Sequence, residues 1–168
     1  MLQIRPLCDA DPPVLSAAFA EAGSVKPAAT FERYLSDQRA GTRACLVATL
    51  DAQLAGYVTL NWTPHYPALA AAGIPEIQDL NVLPAFRRRG IATRLLDRAE
   101  ALAGARSDFV GIAVGLHPGY NAAQCLYVRR GYIPDGSGVT YRNRYVPEGA
   151  QVVLDDDLLL HLTLRVRP

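Results

Sequence analysis

The sequence predicts an α/β fold, with an antiparallel first half and a parallel pair of strands in the second. Three observations predict it. RACLVATL and LAGYVTLNW are β-compatible runs separated by Asp51, Ala52 and Gln53 alone, the pattern of a hairpin. EIQDLNV is followed by a stretch with helical spacing. FVGIAVGL is followed by another, and two strand-to-helix units in succession return their strands in the same direction.

Each element follows in order. LQIRPL alternates apolar and polar residues and makes a first strand. DADPPVLSAAFAEAG is a helix with a cap-like Asp, prolines in its first turn and Gly23 at its end. PAATFERYLSDQRAG is a second helix, with Phe31, Tyr34, Leu35 and Gln38 along one side and Gly41 closing it. The hairpin comes next, then EIQDLNV, ended by Leu83 and Pro84. From Gly90 to Gly104, the apolar residues Ile91, Leu95, Leu96, Ala99 and Leu102 keep helical spacing, so one face packs and the other is wet. FVGIAVGL is nearly all apolar, as a strand covered on both faces should be. Residues 120–130 form a helix closed by Gly131, and DLLLHLTLRV is a last strand. Residues 63–75 and 134–150 are rich in Pro and Gly and are expected to be long loops.

With 168 residues, half of them apolar, the chain suits one domain, 1–168, with a substantial core. Lys plus Arg total 17 against 16 Asp plus Glu, and a net charge of +1 gives no general pull toward nucleic acid or anionic membrane. Neither is expected as a partner. Cys8, Cys45 and Cys125 lie far apart, without the close pairs of zinc or redox motifs, and read as reduced thiols. His65, His117 and His161 form no ligand spacing, so no metal is expected. No apolar run approaches the roughly 20 residues of a membrane span, and a cytoplasmic protein is expected.

The stretch AFRRRGIATRLL carries the functional signal. It joins the strand EIQDLNV to an amphipathic helix, whose first-turn amides lack intrahelical partners and, with the helix dipole, favour an anion. Gly90 and Ala92 keep side chains out of the way, Thr93 adds a hydroxyl, and the arginines assist neutralisation. Neither a Walker A motif nor the three-glycine dinucleotide fingerprint is present. The pattern R-x-x-G-x-A of Arg87, Gly90 and Ala92 resembles the pyrophosphate loop of the GCN5-related N-acetyltransferase (GNAT) superfamily. AAQCLYVRRGYIP resembles a later family segment through Ala123, Tyr127, Gly131 and Tyr132, and the order of elements matches the family plan.

The resemblance implies a GNAT fold: a mixed sheet with an antiparallel first half and a splayed parallel pair, flanked by about four helices. It implies acetyl-CoA as cosubstrate, its pantetheine bonded to backbone at the positions of Leu80, Asn81 and Val82 and its pyrophosphate over Arg88, Arg89, Gly90, Ile91, Ala92 and Thr93, with Arg87 at the motif's first position. Packing of Leu80 and Val82 into the core is compatible with this, since side chain and backbone point different ways. Tyr127 matches the family tyrosine that protonates the departing thiolate, although an aromatic core residue is the plainer alternative. Family members often carry an asparagine seven residues before that tyrosine. Here the position is Tyr120, and Asn121 follows it, rotated ~100° on a helix; Asn121 is either a cofactor contact or a helix cap.

For the general base the first candidate is Glu76, eleven residues before Arg87, the spacing of the glutamate base in histone-acetylating members. Strand alternation puts Glu76 on the side of Gln78, Leu80 and Val82, and Asp79 on the other; a β-bulge would bring Asp79 back into contention. Glu76 as an exposed residue beside Pro75 is the plain alternative. The resemblance thus implies direct transfer of an acetyl group from acetyl-CoA to a primary amine, on a small molecule or a peptide, within a ternary complex. No covalent intermediate is expected, since Cys125 reads as a buried helix residue. The alternative is a catalytically silent GNAT fold that binds CoA as a sensor or interaction module. Residues 134–154 are expected to border the acceptor, with Tyr141, Arg142 and Arg144 facing it, while Asp155–Asp157 read as a solvated turn able to attract a cationic amine. The amine and the oligomeric state, a homodimer included, stay open.

Overall fold

The computed structural model describes residues 1–167. Its elements are β1 (Leu2–Pro6), α1 (Asp11–Glu21), α2 (Ala28–Arg39), β2 (Arg43–Leu50), β3 (Gln53–Asn61), α3 (Pro67–Ala72), β4 (Glu76–Val82), α4 (Ile91–Gly104), β5 (Phe109–Gly115), α5 (Asn121–Arg130), β6 (Ile133–Tyr141), β7 (Arg144–Tyr145) and β8 (Leu158–Arg165). They divide into two compact units, Met1–Trp62 with Ile77–Leu102, and Thr63–Glu76 with Ala103 onward.

In the first unit the strands run in the order β1-β2-β3-β4. β1 and β2 pair antiparallel from Leu2 opposite Leu50 to Pro6 opposite Leu46, and β2 and β3 form the expected hairpin. Its turn is two residues, not three: Asp51 and Ala52 both take positive φ, 50° and 66°, as the turn that suits strand twist requires, and Gln53 already belongs to β3. Leu15, Phe19, Phe31, Tyr34 and Leu35 from the two helices pack on Cys45, Val47 and Tyr57. The Phe19 and Phe31 rings meet the Tyr57 ring edge-on at 5.5 and 5.1 Å. Burial pushes the Cys45 thiol up to about 12, consistent with an inert core thiol. The cap-like Asp of α1 does different work. Asp11 is buried and holds the Arg5 guanidinium through bonds of 2.6 and 2.7 Å, while its carboxylate also accepts the Cys8 amide.

The second unit runs β5-β8-β6-β7, all antiparallel. The opening of β4 runs parallel to β5, where the Gly111 amide donates to the Pro75 carbonyl at 2.8 Å. The α/β class with an antiparallel first half and a parallel pair is therefore observed. Against the expectation of about four helices, five α-helices are present among the described residues. The additional one, α3, lies inside residues 63–75, expected to be a loop. Its Pro67 and Gly73 are helix punctuation at first turn and left-handed cap, and Leu69 is buried on Gly111, whose missing Cβ would meet it at 2.3 Å. The expected loop 134–150 is likewise mostly paired up to Tyr145. β6 extends to Tyr141, slips register between Pro134 and Val139 around Gly136 and Gly138, and turns through Arg142 and Asn143 into β7.

One close approach sets the path of β4. A Cβ on Gly56 of β3 would lie 2.3 Å from the Asn81 carbonyl oxygen and 3.0 Å from the Val82 Cα. Gly56→Ala should force the strands apart and cost about 2 kcal/mol, which for a chain of this size lowers Tm by about 4–8 °C. A thermal melt within 1 °C of wild type, the approximate reproducibility of such a melt, would disprove the close approach as a constraint.

Candidate active site

β4 ends in a strand-to-helix turn built from its own sequence. Leu83 donates its amide to Ala55 at 2.9 Å, Pro84–Phe86 form one 3₁₀ turn, and the Arg87 Nε returns to the Val82 carbonyl at 3.1 Å. Arg88 and Gly90 then take left-handed φ of 61° and 76°. For Arg88 that conformation is costly, and for glycine it is natural. The Arg94 amide bonds the Gly90 carbonyl at 3.1 Å. The amides of Ile91, Ala92 and Thr93 precede that bond and have no acceptor within α4. Arg87, Arg88, Arg89 and Gly90 are exposed, Ile91 is buried, and Thr93 is exposed. Nothing lies within 4 Å of where a Gly90 Cβ would stand, so the space there belongs to solvent or ligand. This combination of open space, unpaired amides and cationic side chains fits a pyrophosphate.

Leu80, Asn81 and Val82 are half-buried on β4, and the Asn81 Nδ2 reaches the Tyr57 hydroxyl at 3.4 Å. Asp79 interrupts the strand. Its φ of 52° breaks the two-residue alternation, so Leu80 and Val82 do not inherit the face of Glu76 by simple counting. Asp79 is exposed, and its carboxylate accepts the Tyr34 hydroxyl from α2. Burial, and after it the Asp79 charge, pushes the Tyr34 phenol up, so it remains a donor. Arg43 braces the arrangement, with its guanidinium 4.8 Å from the Tyr34 ring centroid and bonded to Thr59 at 2.8 Å and Gln78 at 3.0 Å.

In the second unit Tyr127 is buried on α5, its ring 5.9 Å from Tyr132. Burial first, and Tyr120 second, pushes its phenol up, so it stays protonated across the neutral range. Asn121 is exposed and is the first helical residue, not the cap; Tyr120 holds the cap position and makes no side-chain cap bond. Cys125 is exposed on the same helix, where burial was expected, because its position falls on the wet side of α5. Glu76 is not an exposed strand opening. It is buried, with Oε1 3.7 Å from His161 Nδ1. Spacing among the three histidines does not single out His161. The usable signal was a titratable side chain in the middle of the apolar run DLLLHLTL.

Each aspartate of the acidic turn has a side-chain partner. Asp155 accepts the Tyr141 hydroxyl at 3.0 Å, Asp156 lies 2.8 Å from His117, and Asp157 pairs with Arg142 at 3.2 Å. Two of the expected ligand-facing groups, Tyr141 and Arg142, are thereby engaged with the turn itself. Among the described residues there is no group of three or more His, Cys, Asp or Glu able to hold a metal, and no helix long and apolar enough to cross a membrane.

The family model of the acetyltransferase (GNAT) family matches residues 12–132, and the chain belongs to that family. Solved structures agree in fold. An N-acetyltransferase from Staphylococcus aureus Mu50 aligns with TM-score 0.73 and 17% identity over 99% of each chain. The ribosomal-protein-alanine N-acetyltransferase from Brucella melitensis aligns with TM-score 0.70 and 19% identity, over 97% of this chain and 99% of the other. The yncA protein of Salmonella typhimurium, solved with its cofactor acetyl-CoA, aligns with TM-score 0.68 and 18% identity, over 98% and 94%. No curated protein matches the sequence.

Gly90→Glu should raise the acetyl-CoA dissociation constant by roughly tenfold or more, since a carboxylate then projects into an anion's place. Gly90→Ala, which adds only the left-handed strain, should do less. Calorimetric titration with acetyl-CoA checks both, and wild-type affinity in Gly90→Glu would rule out the turn as the phosphate site.

Proposed function

We propose that the chain is an acetyl-CoA-dependent N-acetyltransferase that passes an acetyl group to a primary amine by direct transfer within a ternary complex. The observation that carries this reading is the turn Arg87–Thr93, with two left-handed residues, three amides lacking intrahelical acceptors and three exposed arginines around open space. Membership of the acetyltransferase (GNAT) family supports it, as does a structural neighbour solved with acetyl-CoA.

Acetyl-CoA supplies the thioester whose carbonyl carbon accepts the amine. The residues of this chain do the rest. Backbone amides of Arg88–Thr93 and the side chain of Arg87 hold the pyrophosphate. Backbone of Leu80, Asn81 and Val82 holds the pantetheine as an added strand, and an amide there polarises the thioester carbonyl. Tyr127, protonated at neutral pH, donates to the departing thiolate. Asn121, exposed at the start of α5, is available for a further polar contact. Glu76 takes the proton of the acceptor ammonium, directly or through water, whereas Asp79, bonded to Tyr34, holds the bulge of β4 and remains the alternative base.

The test is release of free thiol from acetyl-CoA with a panel of polyamines, aminoglycosides, amino acids and peptide N-termini. Turnover with one class supports the enzyme. Acetyl-CoA binding without turnover across the panel would favour a sensor or interaction module. Tyr127→Phe should lower kcat by about 100-fold while acetyl-CoA affinity stays within about twofold, since ring packing is kept and a proton donor is lost. Unchanged kcat, under conditions where chemistry limits the rate, would assign Tyr127 to the core alone.

A further inference from the structure

His161 occupies the centre of β8, opposite Ala113 of β5, and is 1% exposed. Its ring stacks on Tyr66 with centroids 3.5 Å apart and planes 8° from parallel. Nε2 lies 2.9 Å from Thr140 Oγ1. Nδ1 is buried without a hydrogen-bond partner, and the atom facing it is Glu76 Oε1 at 3.7 Å. The titratable and charged groups around the ring are Tyr66 from the segment before α3, Glu76 from β4 and Asp135 from β6, with Tyr145 of β7 against the far neighbour Tyr66. Asp135 is in turn bonded to the Tyr66 hydroxyl at 2.5 Å.

A buried nitrogen with no partner is rare, because each such group costs ~1–3 kcal/mol. Its chemistry says what would satisfy it. Burial holds the imidazole neutral, pushed down to about 4 against a weaker upward pull from Asp135. A neutral imidazole has one N–H and one lone pair. One tautomer turns an Nδ1–H to an ionised Glu76 while the Thr140 hydroxyl donates to Nε2; in the other, the one consistent with an unbonded Nδ1, the Nε2–H donates to Thr140 and Nδ1 presents its lone pair to Glu76. While Glu76 is ionised, two acceptors face each other and no bond forms. Once Glu76 gains a proton, its O–H donates to Nδ1 and the buried nitrogen is satisfied.

We propose that Glu76 and His161 form a buried proton-holding pair, in which His161 is the positioning residue and its Nδ1 accepts the hydrogen of protonated Glu76. Hydrogen bonding to the neutral form of a carboxyl raises its affinity for a proton. The use of the pair in catalysis rests on Glu76 being the base proposed above. The step balances: an ammonium N–H bond of the acceptor breaks and the Glu76 O–H forms, accepted by Nδ1; the freed nitrogen lone pair forms the C–N bond at the thioester carbonyl as the C–S bond breaks; the departing thiolate takes the Tyr127 proton, and the second amine proton restores the phenol.

The pair is tested on the full chain without any ligand, by carbon-13 NMR titration of the Glu76 carboxyl, assigned by its disappearance in Glu76→Gln. The midpoint should lie above the ordinary value of about 4.3 in the wild type and fall by about one pH unit in His161→Gln, which retains an amide near Thr140 but has no Nδ1. An ordinary wild-type midpoint, or one that His161→Gln leaves in place, overturns the pair. If His161→Gln does not fold, the nitrogen-15 shift of His161 Nδ1 in the wild type decides: it should move with the protonation of Glu76, and a shift that stays constant through that midpoint overturns the pair, since burial alone also raises a carboxyl midpoint. The catalytic use is read separately from the pH profile of kcat/KM, with the panel amine that releases most thiol. The sign is fixed: a base is active above its pKa, so the acidic limb should move to lower pH by about one unit in His161→Gln. A perturbed NMR midpoint together with an acidic limb retained in Glu76→Gln would leave the pair standing and remove Glu76 as the base.

Discussion

The first unit depends on the contact between the backbones of β3 and β4 at Gly56. The Asn81 carbonyl occupies the space a side chain would take, so β4 can lie flat on β3 at its end despite the left-handed residue Asp79 three positions from its terminus. The consequences propagate along the chain. Leu83 bonds Ala55, the Arg87 side chain folds back on Val82, and the chain must reverse through Arg88 and Gly90 before α4 can begin. The orientation of the amides at Ile91, Ala92 and Thr93 is therefore fixed by packing well upstream. Side chains from α2 and β2 secure the same strand. Tyr34 donates to Asp79 and Arg43 spans Gln78 and Thr59, so a bulge that costs backbone energy is held by three polar contacts.

The second unit has a different organising problem, the burial of polar groups in an apolar sheet. Tyr66, Thr140, His161 and Glu76 are all nearly inaccessible. Tyr66 is satisfied by Asp135 and by stacking, Thr140 by the imidazole, and the imidazole only at one nitrogen. A sheet seldom retains such a cluster for stability alone, since apolar residues of similar volume pack at no desolvation cost. Burial is the leading cause that pushes both the Tyr66 and the Tyr127 phenols up; Tyr66 in addition donates to the Asp135 carboxylate.

Much of this was legible in the sequence, and the reason is local. Helices α1, α2, α4 and α5 and strands β1 to β5 and β8 follow from periodicity, prolines and closing glycines, which act within a few residues of where they stand. The turn Arg87–Thr93 was legible for the same reason: a strand, a glycine and an amphipathic helix in sequence leave amides unpaired wherever the chain later packs. The short helix α3 was obscured because Pro67 and Gly73 punctuate a helix and a loop alike, and six residues are too few to display a period.

Tertiary structure alone decided the rest. Whether Asp79 or Glu76 shares a face with Leu80 turns on a single dihedral angle, and a parity change in a strand has no sequence signature when both residues are acidic. Glu76 faces His161 of β8, from the far end of the chain, so neither its burial nor the imidazole beside it can be read from EIQDLNV. The sequence determined most of the elements and where helix amides are left without intrahelical partners, because both are set by contacts between near neighbours. The fold decided which titratable groups lose water and which face one another, because desolvation and pairing are properties of distant segments brought together.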